Sequence, residues 1–286
     1  MKIAVTSSSG KLGSSIVKHL ITLIGKENVI AIARTPEKAA HLGVEVRQGD
    51  YNNRAQFNMA LKGIDAVLLV SGMDAPDKRI IQHRNVIEAA KQNGLKKIVY
   101  TSIVGAEQGN AFSPIVQTNR QTEKDIINSG LEWVIGRNGI YIEPDLEYLG
   151  TYIKEGQISN CAANGKCTYT SREELGFAYA KLLTEDKHNM KVYNLVGDAI
   201  TQNQLADYIN QVYHTNLVYT SVSVADYAKE RIAALGEFMG TIIAGIYEGI
   251  KNGANDVPSD FEAATGRPHK SSIEMIKFFK NKHHKS

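Results

Sequence analysis

The residues best suited to chemistry stand at the start of the chain, in Thr6-Ser7-Ser8-Ser9-Gly10-Lys11-Leu12-Gly13. Glycines let a backbone turn sharply and approach a bound group closely. Three adjacent hydroxyls supply donors, and the free N–H groups and dipole of a helix that starts here favour an anion. The stretch is therefore suited to hold a pyrophosphate. A Gly-x-x-Gly-x-x-Gly frame would place glycines at 7, 10 and 13, and the chain has Ser7, Gly10 and Gly13. Ser7 brings a Cβ where the frame prefers none. An ordinary serine-rich turn with a good N-cap would look similar. A P-loop fits less well, because Leu12 follows Gly10-Lys11 where Ser or Thr is needed.

A second cue lies about 20 residues further on, where NAD-type sites carry an acid for the ribose hydroxyls. Here the segment reads Ala31-Ile32-Ala33-Arg34, with no acid at its tip. Arg34 is placed to fork a 2′-phosphate with charge-assisted bonds, and Lys38 is near enough in sequence to assist. A solvated arginine after a strand is the alternative, and the glycine turn upstream favours the phosphate. NADP(H) is thus expected over NAD(H). Asp50-Tyr51 would suit an adenine amine and ring, or equally a turn and a packing contact. Ser71-Gly72-Met73 is either a small-residue passage for the cofactor or a plain loop. Cys161 and Cys167 have no histidine nearby in sequence and are taken as structural, with no metal site expected. The basic tail Lys282-His283-His284-Lys285 reads as a solvated end.

These residues need a scaffold, and the first half of the chain provides strand–helix alternation. Apolar runs at Ile3–Val5, 28–33, 44–48, 66–70, 97–101 and 132–135 read as strands. Helical patterns occupy 14–24, 56–61, 78–93 and 114–128. Continuous apolar strands between helices imply a parallel sheet covered on both faces. Right-handed crossovers bring Ser7, Arg34, Asp50, Ser71 and Thr101 to one edge, where an open α/β sheet binds its ligand. The fold class is α/β, a Rossmann-like doubly wound sheet. A cofactor domain over 1–140, its sheet completed by 191–196, precedes a smaller, mostly helical lobe over 141–286. In that lobe Ser171-Arg172-Glu173-Glu174 reads as a capping box. Helices are also expected from Thr201, over 224–253 with breaks near Gly236 and Gly240, and at 259–265 and 272–280; Leu217–Val222 reads as a strand.

The chain has 286 residues, 43% of them hydrophobic and 22% charged, which is ordinary for a globular protein. A net charge of +3 is too small to argue for nucleic acid or a membrane surface as partner. No apolar run spans a bilayer and no export signal opens the chain, so a cytoplasmic location is expected.

The blocks Thr6–Gly13, Val29-Ile30-Ala31-Ile32-Ala33-Arg34, Val46-Arg47-Gln48-Gly49-Asp50-Tyr51 and His83-Arg84-Asn85-Val86-Ile87-Glu88-Ala89-Ala90 together resemble the NmrA-like atypical short-chain dehydrogenases/reductases. Tyr100-Thr101-Ser102, Thr122-Glu123, Arg137-Asn138-Gly139-Ile140-Tyr141 and Val192-Tyr193-Asn194-Leu195 extend the resemblance to about residue 200, and more weakly to Gly266-Arg267-Pro268. The resemblance implies bound NADPH and hydride transfer to a quinone or similar conjugated small-molecule acceptor. It implies a phosphate turn at Ser7, Ser8, Ser9, Gly10, Lys11 and Leu12, the 2′-phosphate at Arg34, and a nicotinamide site from Gly72, Thr101 and the Asn138–Tyr141 segment. The Tyr-x-x-x-Lys pair of ordinary short-chain dehydrogenases is missing; its expected place reads Ile115-Val116-Gln117-Thr118-Asn119, where this branch often has His. That absence argues against alcohol dehydrogenation and is compatible with quinone reduction, in which water can protonate the product. Tyr141 is the candidate to touch the acceptor, or else it packs where the lobes meet. The rival reading is a non-catalytic NADP(H)-binding redox sensor of the NmrA type. The Ile242–Tyr247 run reads as core, with a homodimer contact as the alternative.

Overall fold

The structure is a computed structural model that describes residues 1–283. Its first half runs β1 (Ile3–Val5), α1 (Lys11–Ile24), β2 (Val29–Ala33), β3 (Glu45–Gln48), α2 (Arg54–Ala60), β4 (Ala66–Val70), α3 (Pro76–Gln92), β5 (Lys97–Ile103), α4 (Ser113–Ile127) and β6 (Glu132–Asn138). Then follow β7 (Ile140–Tyr141), α5 (Glu143–Glu147), α6 (Leu149–Glu155), β8 (Gln157–Asn160), β9 (Cys167–Thr170), α7 (Arg172–Thr184), β10 (Lys191–Leu195) and β11 (Ala199–Ile200). The chain closes with α8 (Gln202–Tyr213), β12 (Val218–Ser221), α9 (Val224–Leu235), α10 (Glu237–Lys251), α11 (Phe261–Thr265) and α12 (Ser272–His283).

Seven parallel strands form the main sheet in the order β10-β6-β5-β4-β1-β2-β3. Strand order reverses between β1 and β4, so a crevice opens beyond their carboxyl ends. Every residue of β1, β2 and β4 is buried, as continuous apolar strands require when both faces are covered. On one face Ile16, Val17 and Leu20 of α1 and Leu175, Tyr179 and Leu182 of α7 share a core. On the other, Phe57 of α2, Val86 and Ala90 of α3 and Ile126 of α4 share a second.

The expected cut at residue 140 is therefore interleaved. The chain leaves the sheet after β6 and returns through α7 and β10, and the buried residues of α7 share one core with α1, the sheet and Phe261 and Ala264 of α11. The elements between and beyond build the smaller lobe around Ile142, Tyr169, Leu205 and Ile250. It is mainly helical, but β7, β9 and β11 form a small sheet and β8 pairs with β12.

Two local expectations change. Ser171 does cap α7 by accepting from the Glu174 N–H, but Glu174 does not reach back. Its buried carboxylate instead takes Arg267 at 2.6 and 2.9 Å. The reciprocal capping box is at Thr201 and Gln204, opening α8. Helix α9 stops before Gly236 (φ +80°), whereas Gly240 lies inside α10. A Cβ at Gly240 would stand 2.4 Å from the Ile232 nitrogen, so this glycine marks a helix crossing and not a break. Lys282 lies near the end of α12, and His284 and Lys285 of the basic tail fall outside the described residues. Among the described residues no helix is long and apolar enough to cross a membrane.

Candidate cofactor and acceptor site

The turn after β1 is built around a left-handed Ser7 (φ +50°), the conformation for which the first glycine of the frame is preferred. The Ser7 carbonyl accepts the Gly10 N–H at 2.9 Å. A Cβ at Gly13 would lie 2.5 Å from that same carbonyl oxygen, so α1 can pack this tightly on the turn only with glycine there. Gly10 is the N-cap of α1 and provides no side-chain cap. The N–H groups of the first helical turn, from Lys11, Leu12 and Gly13, thus face outward without an intrahelical acceptor. Ser9, Gly10 and Lys11 are exposed at this mouth, while the Leu12 side chain is buried and only its N–H can serve.

Two of the expected ligands are corrected. Thr6 and Ser8 are fully buried. Both the N–H (3.1 Å) and the hydroxyl (2.9 Å) of Ser8 donate to the Ile32 carbonyl, lashing the turn to β2. The Thr6 hydroxyl accepts the Val70 N–H at 2.9 Å and lies 2.6 Å from the Tyr51 hydroxyl. Neither side chain reaches the mouth, because each is tied to a neighbouring strand, Thr6 to Val70 and Ser8 to Ile32.

Tyr51 is the clasp of the turn. Its hydroxyl donates to the Val70 carbonyl at 2.6 Å. Its single proton is then spent, so the Thr6 hydroxyl must donate to it, and Ser7 donates as well at 3.1 Å. Burial pushes this phenol up to about 12, against the opposing pull of Ser7 and Thr6, so it stays neutral. The ring stacks on Phe57 at 5.5 Å. Asp50 Oδ1 accepts the N–H and the side-chain amide of Asn52, at 2.9 and 3.0 Å.

Beyond the ladder, the last N–H groups of β4 are capped by hydroxyls of its neighbours, Val70 by Thr6 and Ser71 by Thr101 at 2.8 Å. Asn119 stands behind Ser71. Its Oδ1 accepts from the hydroxyls of Tyr100 (2.5 Å) and Ser71 (3.0 Å), and its amide donates to the Ile115 carbonyl at 2.8 Å. A locked amide neither gives nor takes a proton, so this position offers no acid–base pair. Gly72 donates its N–H to the imidazole of His83 at 3.0 Å. A Cβ on Gly72 would find nothing closer than 3.4 Å, so its small size is not a packing demand.

At the far side, Asn138 ends β6 and Tyr141 lies in β7. The Tyr179 hydroxyl lies 2.6 Å from Asn138 Oδ1 and 2.9 Å from the Gly136 carbonyl and shares its one proton between these two acceptors. That fixes the amide so its N–H donates to the Tyr141 hydroxyl at 3.1 Å, leaving the tyrosine's own proton free. Burial pushes Tyr141 up to about 12, against the opposing pull of Asn138 and Arg172, whose guanidinium lies 5.6 Å from the ring centre. Tyr141 is a hydrogen-bond donor at neutral pH, not a base. Nearby, Lys11 bridges to Glu147 of the lobe at 2.7 Å, and Arg172 to the same carboxylate at 3.0 Å. Arg34 is exposed past the tip of β2 and makes no side-chain bond among the described residues.

An uncapped helix N-terminus suits a pyrophosphate and an unpaired guanidinium two residues past Ile32 suits a further phosphate. Sequence reasoning does not single out the bonds of Tyr51 to Val70, of His83 to Gly72 or of Tyr179 to Asn138. Their signal is the polar residue set among apolar neighbours, which periodicity alone reads as a defect.

Residues 8–186 match the NAD(P)H-binding family. The chain is 35% identical to quinone oxidoreductase 2 of Escherichia coli over 79% of each chain. It is 30% identical to the NmrA-like family domain-containing oxidoreductase flvB of Aspergillus flavus, over 74% of this chain and 71% of that one. The solved structure of Citrobacter sp. triphenylmethane reductase complexed with NADP(H) superposes with a TM-score of 0.90 at 32% identity, covering 97% of this chain and 99% of the other. With a parallel seven-stranded sheet and these likenesses, the chain belongs to the NAD(P)H-binding family, in its NmrA-like branch of oxidoreductases.

Proposed function

We propose that the protein is an NADPH-dependent oxidoreductase that passes a hydride to a quinone or similarly conjugated small molecule. The observation that carries this reading is the uncapped N-terminus of α1 beside an unpaired Arg34, with Ser8 bonding the turn to Ile32. A dinucleotide with a 2′-phosphate matches both anion sites at once. When bound, the nicotinamide supplies the hydride. The chain supplies position: Ser9, Gly10, Lys11 and the N–H of Leu12 hold the pyrophosphate, and the Ser71–Gly72 and Thr101 strand tips border the nicotinamide. Tyr141 donates its free proton toward the acceptor oxygen and Asn138 aims it. No acid–base pair stands at Asn119, which suits an acceptor that delocalises charge and takes its proton from Tyr141 or water. Asp50 acts on this reading as a turn residue next to the adenine end. The buried free thiols of Cys161 and Cys167 suit a reducing compartment such as the cytoplasm.

The likeness to a quinone oxidoreductase and to a triphenylmethane reductase supports the acceptor class. The test is calorimetric titration with NADPH and with NADH, followed by turnover of NADPH with a panel of quinones and triphenylmethane dyes. Preference for NADPH with steady oxidation supports the proposal. Binding of one redox form without turnover replaces it with a redox sensor, and no binding of either dinucleotide overturns both.

A further inference from the structure

The apolar stripe of α3 changes character along its length. Its later turns bury Val86, Ile87, Ala89 and Ala90, but its first turns bury Arg79, Gln82 and His83. All three polar residues face the loop that leaves β4. Arg79 donates through Nε (3.1 Å) and Nη2 (2.9 Å) to the Asp74 carbonyl. Gln82 donates to the Asp74 carboxylate and to Asn52. His83 Nε2 lies 3.0 Å from the Gly72 nitrogen, and its Nδ1 lies 2.8 Å from the Thr122 hydroxyl. Burying an arginine and a histidine this completely is costly unless every bond is made.

The tautomer follows from the partners. A peptide N–H only donates, so His83 Nε2 is the bare nitrogen. Thr122 donates its proton to the Thr118 carbonyl at 3.1 Å, so His83 Nδ1 carries the hydrogen. The imidazole is neutral and fixed at both ends.

We infer that His83 is a positioning residue: with Arg79 and Gln82 it moulds the Ser71–Asp74 loop, so that the Gly72 peptide borders the nicotinamide in one orientation. This rests on the NADPH reading above, and it assigns to the face of α3 a task that neither packing nor cofactor contact explains. Affinity is supplied at the other end of the cofactor, by Arg34 and the α1 N-terminus. Loss of His83 therefore disturbs the reacting end more than binding.

The test compares His83→Leu and His83→Gln in the full chain. Gln can place its carbonyl oxygen toward Gly72 and its amide toward Thr122; Leu can do neither. Three quantities are read: the NADPH Kd by calorimetry, the emission of bound NADPH, which reports on the nicotinamide surroundings, and kcat with a quinone. For His83→Leu the expected result is an altered emission and a kcat lower by about tenfold or more, with Kd changed less than about threefold. His83→Gln is expected to restore both to within about threefold. If His83→Leu does not fold, His83→Gln carries the test alone, and a large loss of kcat or altered emission in it overturns the inference. Unchanged emission and kcat in a folded His83→Leu overturn it, as does a parallel loss of Kd and kcat, which marks a merely structural residue. Should the parent bind NADPH without turnover, emission still decides the role of His83. Should it bind no dinucleotide, the reading of function falls and this inference falls with it, a result seen before any variant is made.

Discussion

Replacing Tyr51 with Phe removes one oxygen and keeps the ring, so its stack on Phe57 and its edge contact with His83 at 6.1 Å survive. What goes is a hydroxyl that donates once and accepts twice. Of its partners, Ser7 is half-buried and can turn to water at little cost. The Val70 carbonyl and the Thr6 hydroxyl are buried and have no such recourse. A buried polar group left unpaired costs about 1–3 kcal/mol. Partial repair by the Thr6 hydroxyl lowers the sum, and the expected loss is about 2–4 kcal/mol. Urea denaturation of both proteins measures it, and an unchanged slope would place the effect in the folded state. The same variant tests the turn, because a left-handed serine persists only where its surroundings hold it. NADPH affinity is expected to fall by about tenfold, the equivalent of about 1.4 kcal/mol. A stability loss under about 0.5 kcal/mol together with unchanged affinity would refute the clasp, since surface-like substitutions cost no more than that.

Three further outcomes follow from the geometry. Arg34→Ala should weaken NADPH binding by about tenfold or more while leaving NADH nearly untouched, because a charge-assisted bond contributes about 1.5–3 kcal/mol; calorimetry that shows equal losses would reject the 2′-phosphate assignment. Gly13→Ala drives a Cβ to 2.5 Å from the Ser7 carbonyl, and since the nearest atoms are backbone the turn must move. Its cost is expected at about 1–3 kcal/mol in denaturant, with loss of dinucleotide binding. For acid stability, burial and then the neighbouring Arg79 hold His83 down to about 3, with Asp125 opposing and the rings of Tyr51 and Tyr100 beside it. Between its ordinary value near 6.5 and about 3 the unfolded chain binds the extra proton, so stability is full above pH 6.5 and falls with pH through that window. The His83→Gln variant should lose about 2 kcal/mol less than the parent on going from pH 7 to pH 5; identical urea midpoint shifts would contradict this.

Most of the cofactor half was legible because its signals are local and redundant. The strands at Ile3–Val5 and Ala66–Val70 match the apolar runs residue for residue, and the βα alternation leaves few topologies. Legibility fails where one side chain serves a distant backbone group. Thr6 and Ser8 read as phosphate ligands because their type fits, and only the three-dimensional path shows that both face inward, to Tyr51 and Ile32. Glu174 fits a capping box by spacing, but Arg267 lies 93 positions away and outcompetes the local N–H. Of the lobe's strands only β12 falls in an expected run; β7 and β11 have two residues each and β8 and β9 four, too few to show a clear period. Ser7 was recognised as a departure, and the structure gives its form: a side chain in a glycine conformation, offset by a bond to Tyr51.

Tyr141 and Asn138 are three positions apart, yet they belong to different sheets. Asn138 pairs with Leu195 in the large parallel sheet, and Tyr141 pairs with Thr170 in the lobe. The hydrogen bond between them is a seam between two inheritable parts. Substitutions in the lobe can reshape what meets the Tyr141 hydroxyl without touching the dinucleotide half. Arg34, exposed past the tip of β2, can likewise change without disturbing the lobe. The seam is kept in register by this bond and by the Lys11–Glu147 bridge, so the two parts can change piecemeal as long as those links persist.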